Sequence, residues 1–177
     1  FSNVISVPDK ISRSFVVSST KANQNNEIGM PMTILETPIG TDVLVLEMGM
    51  RLRGEISYLS NIAKPDIAVI TNIGYSHIER LGSREEIRNA KLEILEGLRD
   101  GGAFIYNGED DMLVKFVAEN EAKLLSRNIT LVPVSMEDLS LFNAKLQVQG
   151  VQYIRNSLVA LNCAKILGAS IEGANEA

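Results

Sequence analysis

Three asparagines within four positions, Asn23, Asn25 and Asn26, stand in the run Thr20-Lys21-Ala22-Asn23-Gln24-Asn25-Asn26-Glu27-Ile28-Gly29-Met30-Pro31. Asparagine is a poor former of helix and of strand, so packing does not ask for such a cluster. Neutral amide donors and acceptors beside a Gly-Met-Pro helix start are suited to gripping a polar ligand. Glu47 ends the apolar run Val43-Leu44-Val45-Leu46, a place where a carboxylate is either a metal ligand or a helix-capping anion. Magnesium bound with nucleotide phosphates takes one or two protein carboxylates, so a single glutamate suffices. Asn72 and His77, the one histidine of the chain, follow the next apolar run, Ile67–Ile70. The histidine is either a structural hydrogen-bonder or a ligand at the same edge as Glu47.

Lys91 lies inside an apolar stripe. With about 100° per residue and Ile87 at zero, Ile94 falls near about −20°, Leu98 near about 20°, Lys91 near about 40° and Leu95 near about 80°. Either the stem is buried while the ammonium reaches water, or burial lowers its pKa. A neutral amine can then react with CO₂, and a charged one can bind a phosphate.

These residues need a frame. Val4–Val7, Ser14–Ser19, Asp42–Glu47, Asp66–Thr71, Gly102–Tyr106 and Ile129–Val134 read as strands. Pro31–Glu36, Glu55–Ala63, Arg84–Leu98, Asp110–Leu125 and Ile154–Leu167 read as helices, the last ended by Gly168. Runs that are apolar throughout imply strands buried on both faces. Alternation with helices implies an α/β fold of three layers, with a mainly parallel sheet flanked by helices. Ligands then bind beyond the carboxyl ends of the strands, where Glu47, Asn72 and His77 stand. Two joints are abrupt: Lys10-Ile11-Ser12 joins two strand-like pieces without a crossover, and Leu139–Gln149 is equally sudden. Missing segments are the expectation there.

The 177 residues allow one domain with a real core. Hydrophobic residues make up 45% and aromatic residues only 5%, so the core must be mainly aliphatic. A net charge of −5 without a basic stripe argues against a nucleic-acid partner and suits a cytoplasmic enzyme. No apolar run approaches the ~20 residues of a membrane span. The lone Cys163 excludes a disulfide framework and reads as a buried, inert thiol. A first residue of Phe1 reads as a processed, excised or incomplete chain.

The Asn-rich run resembles the signature of the MurF-type Mur ligases, with Ala22 where that family has glycine. The order and spacing of Glu47-x-Gly49-Met50, Gly54-Glu55-Ile56, Pro65–Gly74, His77–Ser83 and Ala90-Lys91-Leu92-Glu93-Ile94 are similar to the central ATPase domain of the same family. The resemblance implies a P-loop NTPase-like fold. It implies an ATP- and Mg²⁺-dependent amide ligase that joins D-alanyl-D-alanine to UDP-N-acetylmuramoyl-tripeptide through an acyl phosphate. By it, Glu47 and His77 help hold Mg²⁺, and Lys91 is carbamylated to support the metal. Asn25 and Asn26 contact the muramoyl substrate, and Asn72 and Asn156 serve the nucleotide, Asn156 at the adenine. It divides the chain into residues 1–10, a possible remnant of the UDP-substrate domain, and residues 11–177, the central ATP-binding domain, with the C-terminal domain absent. A monomer is expected.

Gln152 and Tyr153 stand where the family carries His-Asn, which leaves Asn156 as the sole support for adenine recognition; otherwise it is a polar residue at a helix start. The P-loop of the type G-x-x-G-K-T, expected just upstream of Ser14, does not occur in the 177 residues. An unresolved loop or an inactive relative would account for that. The rival readings are another amide ligase of the superfamily, of folylpolyglutamate or cyanophycin synthetase type, and a non-catalytic binding protein on the same fold.

Overall fold

The computed structural model describes residues 11–12, 14–142 and 150–169. The expected strand Val4–Val7, the segment 1–10 and most of the abrupt stretch Leu139–Gln149 therefore lie outside the described residues. Among the described residues five strands run in chain order: β1 (Val17–Ser19), β2 (Val43–Val45), β3 (Ile67–Ile70), β4 (Ala103–Asn107) and β5 (Thr130–Val134). Around them stand α1 (Gly29–Leu35), α2 (Glu55–Ala63), α3 (Ile78–Leu81), α4 (Arg84–Leu92), α5 (Ile94–Gly97), α6 (Asp111–Ser126), α7 (Asp138–Phe142) and α8 (Val151–Ile166). Every strand pair is parallel: β1 with β2 in one ladder, β3–β4–β5 in the other.

The layers follow from strand alternation. β4 is buried along its whole length. Its Phe104 and Tyr106, stacked at 5.2 Å between ring centroids, enter one apolar cluster with Ile56, Ile87, Leu95, Leu113 and Val117 from the helices. Ile105 turns to the opposite face and packs with Leu158, Leu161 and Ala164 of α8. Val17, Val43, Val45, Ile67 and Val69 pack against that second cluster too, so α8 covers residues of both ladders. Burial of each large apolar side chain contributes about 1.5–3 kcal/mol, and the cost of helix and strand ordering is offset mainly by this term. The three-layered α/β arrangement read from the alternation of apolar runs is thus the one observed.

Strand β1 begins at Val17 and not Ser14, the helices Ile78–Leu81 and Asp138–Phe142 were not read in the sequence, and two further differences bear on the site. The helix expected over Arg84–Leu98 is two, because the chain tightens at Glu93 (φ −56°, ψ −20°). Glu93 is buried, and its carboxylate accepts hydrogen bonds from Gly54 N at 2.9 Å and Ser57 N at 3.3 Å. It caps the start of α2 from another element, satisfying amides that the helix leaves without partners. The last helix begins at Val151, so Asn156 sits in its second turn and not at its N-terminus. No described helix is long and apolar enough to cross a membrane.

The α2–α5 crossing depends on Gly97. A Cβ there would lie 2.0 Å from Ser60 O and 2.2 Å from Ser60 C, backbone atoms that move only with their helix. Ser60 Oγ also donates to Glu93 O at 3.2 Å, locking the register of the crossing. Gly97→Ala is expected to destabilise the fold by about 3 kcal/mol through overpacking, read as a lower urea midpoint at unchanged m-value. Ala22 has φ 48°, a left-handed conformation in which a Cβ is strained. Ala22→Gly is expected to raise stability by about 0.5 kcal/mol, the relief of strain exceeding the added unfolded-state entropy; a lowered urea midpoint would contradict the strain.

Candidate functional site

Parallel pairing sends the carboxyl end of each strand in a ladder to the same edge. The loop after β1 carries Thr20–Asn26, β2 ends toward Glu47, and the loop after β3 carries Asn72–His77. A cleft of about 1850 Å³ opens there, lined by Asn25, Asn26, Glu47, Asn72, His77 and Lys91. Val43–Val45 of one ladder and Ile67 and Val69 of the other contribute to its lining.

Glu47 is held from both sides. Its backbone N donates to Thr20 Oγ1 at 2.9 Å, and its Oε1 accepts from Asn25 Nδ2 at 2.9 Å. Its Oε2 accepts no hydrogen bond among the described residues. Asn26 turns its Oδ1 to Ile28 N and Gly29 N, at 3.1 and 2.8 Å, and so shapes the entry to α1. Gln24 packs so closely on that entry that a Cβ at Gly29 would meet Gln24 Cα at 2.5 Å. The amide-rich run is therefore in part a structural brace.

Lys91 crosses from α4 to the end of β3. Its Nζ donates to Asn72 O at 2.8 Å and reaches Asn72 Oδ1 at 3.4 Å. Burial pushes its pKa below that of a free lysine, and the nearby Asp110 carboxylate opposes the shift. The next residue of the loop, Ile73, is fixed at both polar atoms. Its N donates to Asp110 Oδ2 at 2.7 Å, and its O accepts from Arg84 Nε at 2.9 Å. Asp110 meanwhile caps α6 through Oδ1, at 3.1 Å from Met112 N and 3.3 Å from Leu113 N. His77 follows this clamped segment with φ 70°, exposed, its ring making no hydrogen bond among the described residues.

Asp110, Arg84 and Thr20 went unremarked as site residues in the sequence. Asp110 at the start of an amphipathic helix is legible as a cap, but nothing local tells that its second oxygen holds a loop 37 residues away. Glu109 was missed likewise. It accepts from Met136 N at 3.1 Å and from Arg155 Nε at 2.9 Å, joining the exits of β4 and β5 to α8. The Met136 amide and then Arg155 hold its carboxyl below the usual carboxylate range. Asn156 is half-buried next to Arg155 and does not line the cleft. Cys163 is a buried free thiol, pushed up to about 12 by burial, and so inert as expected.

The donor set suits a hard cation only in part. Among the described residues no group of three His, Cys, Asp or Glu side chains is placed to hold a metal. One carboxylate with an open oxygen and one unpartnered imidazole fit an ion whose other ligands are phosphate oxygens and water.

The Mur ligase middle domain matches residues 2–164. The UDP-N-acetylmuramoyl-tripeptide–D-alanyl-D-alanine ligase of Bacillus subtilis is 55% identical over 97 residues, which are 55% of this chain and 21% of that protein. MurF from Acinetobacter baumannii superposes with a TM-score of 0.82 at 25% identity, over 96% of this chain and 41% of that one. MurF ligase from Thermotoga maritima, solved in complex with ADP, has a TM-score of 0.75 at 21% identity over 98% of this chain and 44% of that one, a likeness of fold. The chain thus spans less than half the length of each of these relatives. With a matching domain over most of its length and a cleft at the edge where the fold binds ligands, the chain belongs to the Mur ligase family.

Proposed function

We propose that the chain is the ATP-binding portion of an ATP-dependent ligase that joins D-alanyl-D-alanine to UDP-N-acetylmuramoyl-tripeptide. The observation that carries this reading is the convergence of Glu47, Asn72, His77 and Lys91 on one cleft at the strand ends, in a chain similar to ligases of that name. ATP and Mg²⁺ are the cofactors, and the ADP in the Thermotoga maritima relative supports the nucleotide. The reading extends to a cytoplasmic monomer whose residues 11–177 form the ATP-binding domain.

Glu47, through Oε2, and His77 would hold Mg²⁺, which when bound neutralises charge on the transferring phosphoryl group. Asn72 would contact the nucleotide, and Asn156, one helical turn along α8 from the cleft-lining Gln152, would contact the adenine where the nucleotide extends past the cleft. Asn26, on the cleft wall, would contact the muramoyl peptide. Lys91 would be carbamylated: its neutral amine nitrogen bonds to the carbon of CO₂ and a proton leaves to solvent. Burial favours this by raising the fraction of neutral amine. The product carries a negative charge in place of a positive one at the end of β3.

A carboxylate oxygen of the tripeptide attacks the γ-phosphorus and ADP departs, leaving an acyl phosphate. The amine of D-alanyl-D-alanine then attacks the acyl carbon. The C–N bond forms, the C–O bond to phosphate breaks, and the amine loses a proton. The residues of the cleft contribute by position and electrostatics, as phosphoryl transfer requires.

Lys91→Ala is expected to lower amide formation by about 10²–10³-fold, the cost of removing one preorganised charged group. Added acetate or formate should restore part of the rate. Full activity in the variant would remove the carbamate from the mechanism. A panel of acceptors assayed for ADP release should show turnover with UDP-N-acetylmuramoyl-tripeptide and D-alanyl-D-alanine together. Turnover with folate polyglutamates or aspartate-arginine polymers would instead assign a sister ligase. Binding without ADP release would favour the non-catalytic reading.

A further inference from the structure

We infer that Asn25 is a positioning residue for Glu47, and that Gly49 is glycine because Asn25 occupies the space beside it. The inference rests on the metal-binding reading of Glu47 given above. Asn25 and Glu47 lie 22 residues apart, on the exit loops of the paired strands β1 and β2. The side-chain amide donates to Glu47 Oε1 at 2.9 Å, which commits one oxygen of this cleft-lining carboxylate and leaves the other without a hydrogen bond among the described residues.

The backbone seals the same contact. Gly49 N donates to Asn25 O at 2.6 Å, so the two exit loops are joined by main chain as well as by side chain. A Cβ at Gly49 would stand 2.8 Å from Asn25 Oδ1, 2.9 Å from Cγ and 3.0 Å from Nδ2. The asparagine amide is thereby held flat against the Gly49 backbone, with Nδ2 aimed at Glu47. Thr20 grips the backbone N of Glu47 at 2.9 Å, so the acid is fixed at both ends. An N–H spent on Glu47 is not available to a substrate, and the acid, otherwise free about its side-chain torsions, is oriented before any ligand arrives.

The test uses the intact protein with a non-hydrolysable ATP analogue and Mn²⁺ in place of Mg²⁺, with free Mn²⁺ read by electron paramagnetic resonance. Asn25→Ala is expected to weaken Mn²⁺ binding by about 10-fold or more, the usual cost of losing a partner of a metal ligand. The KM for UDP-N-acetylmuramoyl-tripeptide should stay within about twofold, since positioning through Glu47 does not touch that substrate. Gly49→Ala should weaken Mn²⁺ binding by displacing the same amide. The double variant should be no worse than Asn25→Ala, because the clash disappears with the side chain. A loss confined to the tripeptide, or additive losses in the double variant, would overturn the inference. Glu47→Gln separates the two levels: if it leaves Mn²⁺ affinity unchanged, the metal reading itself fails. If it weakens Mn²⁺ while Asn25→Ala does not, only the positioning role fails.

Discussion

Parallel pairing obliges the strands of each ladder, β1 with β2 and β3 with β4 and β5, to deliver their exit loops to one edge, and the arrangements in the cleft depend on that constraint. Parallel strands cannot be joined by tight turns, so helices must return the chain across the faces. The helices in turn bury both faces of the sheet, with Phe104 and Tyr106 on one side and Ile105 on the other. What remains exposed is the edge. Chemistry-bearing residues gather there because it is the one part of the strands that packing does not claim.

Edge loops would be loose without anchors, and this fold anchors them with buried carboxylates. Asp110 caps α6 with one oxygen and holds Ile73 with the other, while Arg84 takes the Ile73 carbonyl. Glu93 caps α2 from the turn between α4 and α5. Each is an ionisable group at 8% exposure or less, which is costly unless its oxygens are satisfied. Most of the donors are backbone amides at helix starts, which lack partners within their helices, joined by the loop amide of Ile73 at Asp110 and by the Arg53 guanidinium at Glu93. Two unfavourable burials thus offset each other, and the loop after β3 gains a defined shape without a strand to hold it.

Lys91 shows the same balance tipped the other way. Its stem follows Ile87 and Ala90 into the core, and among the described residues its amine meets a carbonyl and an amide oxygen of Asn72. A charged ammonium is poorly compensated by neutral oxygens at partial burial, so its pKa falls. Asp110 is near enough to oppose that fall, yet it is already committed to four backbone and side-chain partners, Arg84 included. The cleft is therefore lined both by a lysine closer to its neutral form and by a carboxylate, Glu47, that keeps one oxygen open.

Much of this was legible before any coordinate. Apolar runs of strand length gave the buried strands, helical spacing placed Lys91 in the apolar stripe, and the strand-end rule put Glu47, Asn72 and His77 on one edge. Those inferences rest on periodicity and chain direction, which are local properties of a sequence. Tertiary structure decided the rest: that Asn25 turns to Glu47 across 22 residues, that Glu93 interrupts a helix to cap another, and that Asn156 stands in a second turn away from the cleft. No pattern of spacing encodes which distant amide a carboxylate will meet. That choice is made when the packed layers bring particular loops within hydrogen-bond reach, and an unpaired buried group then becomes too costly to leave.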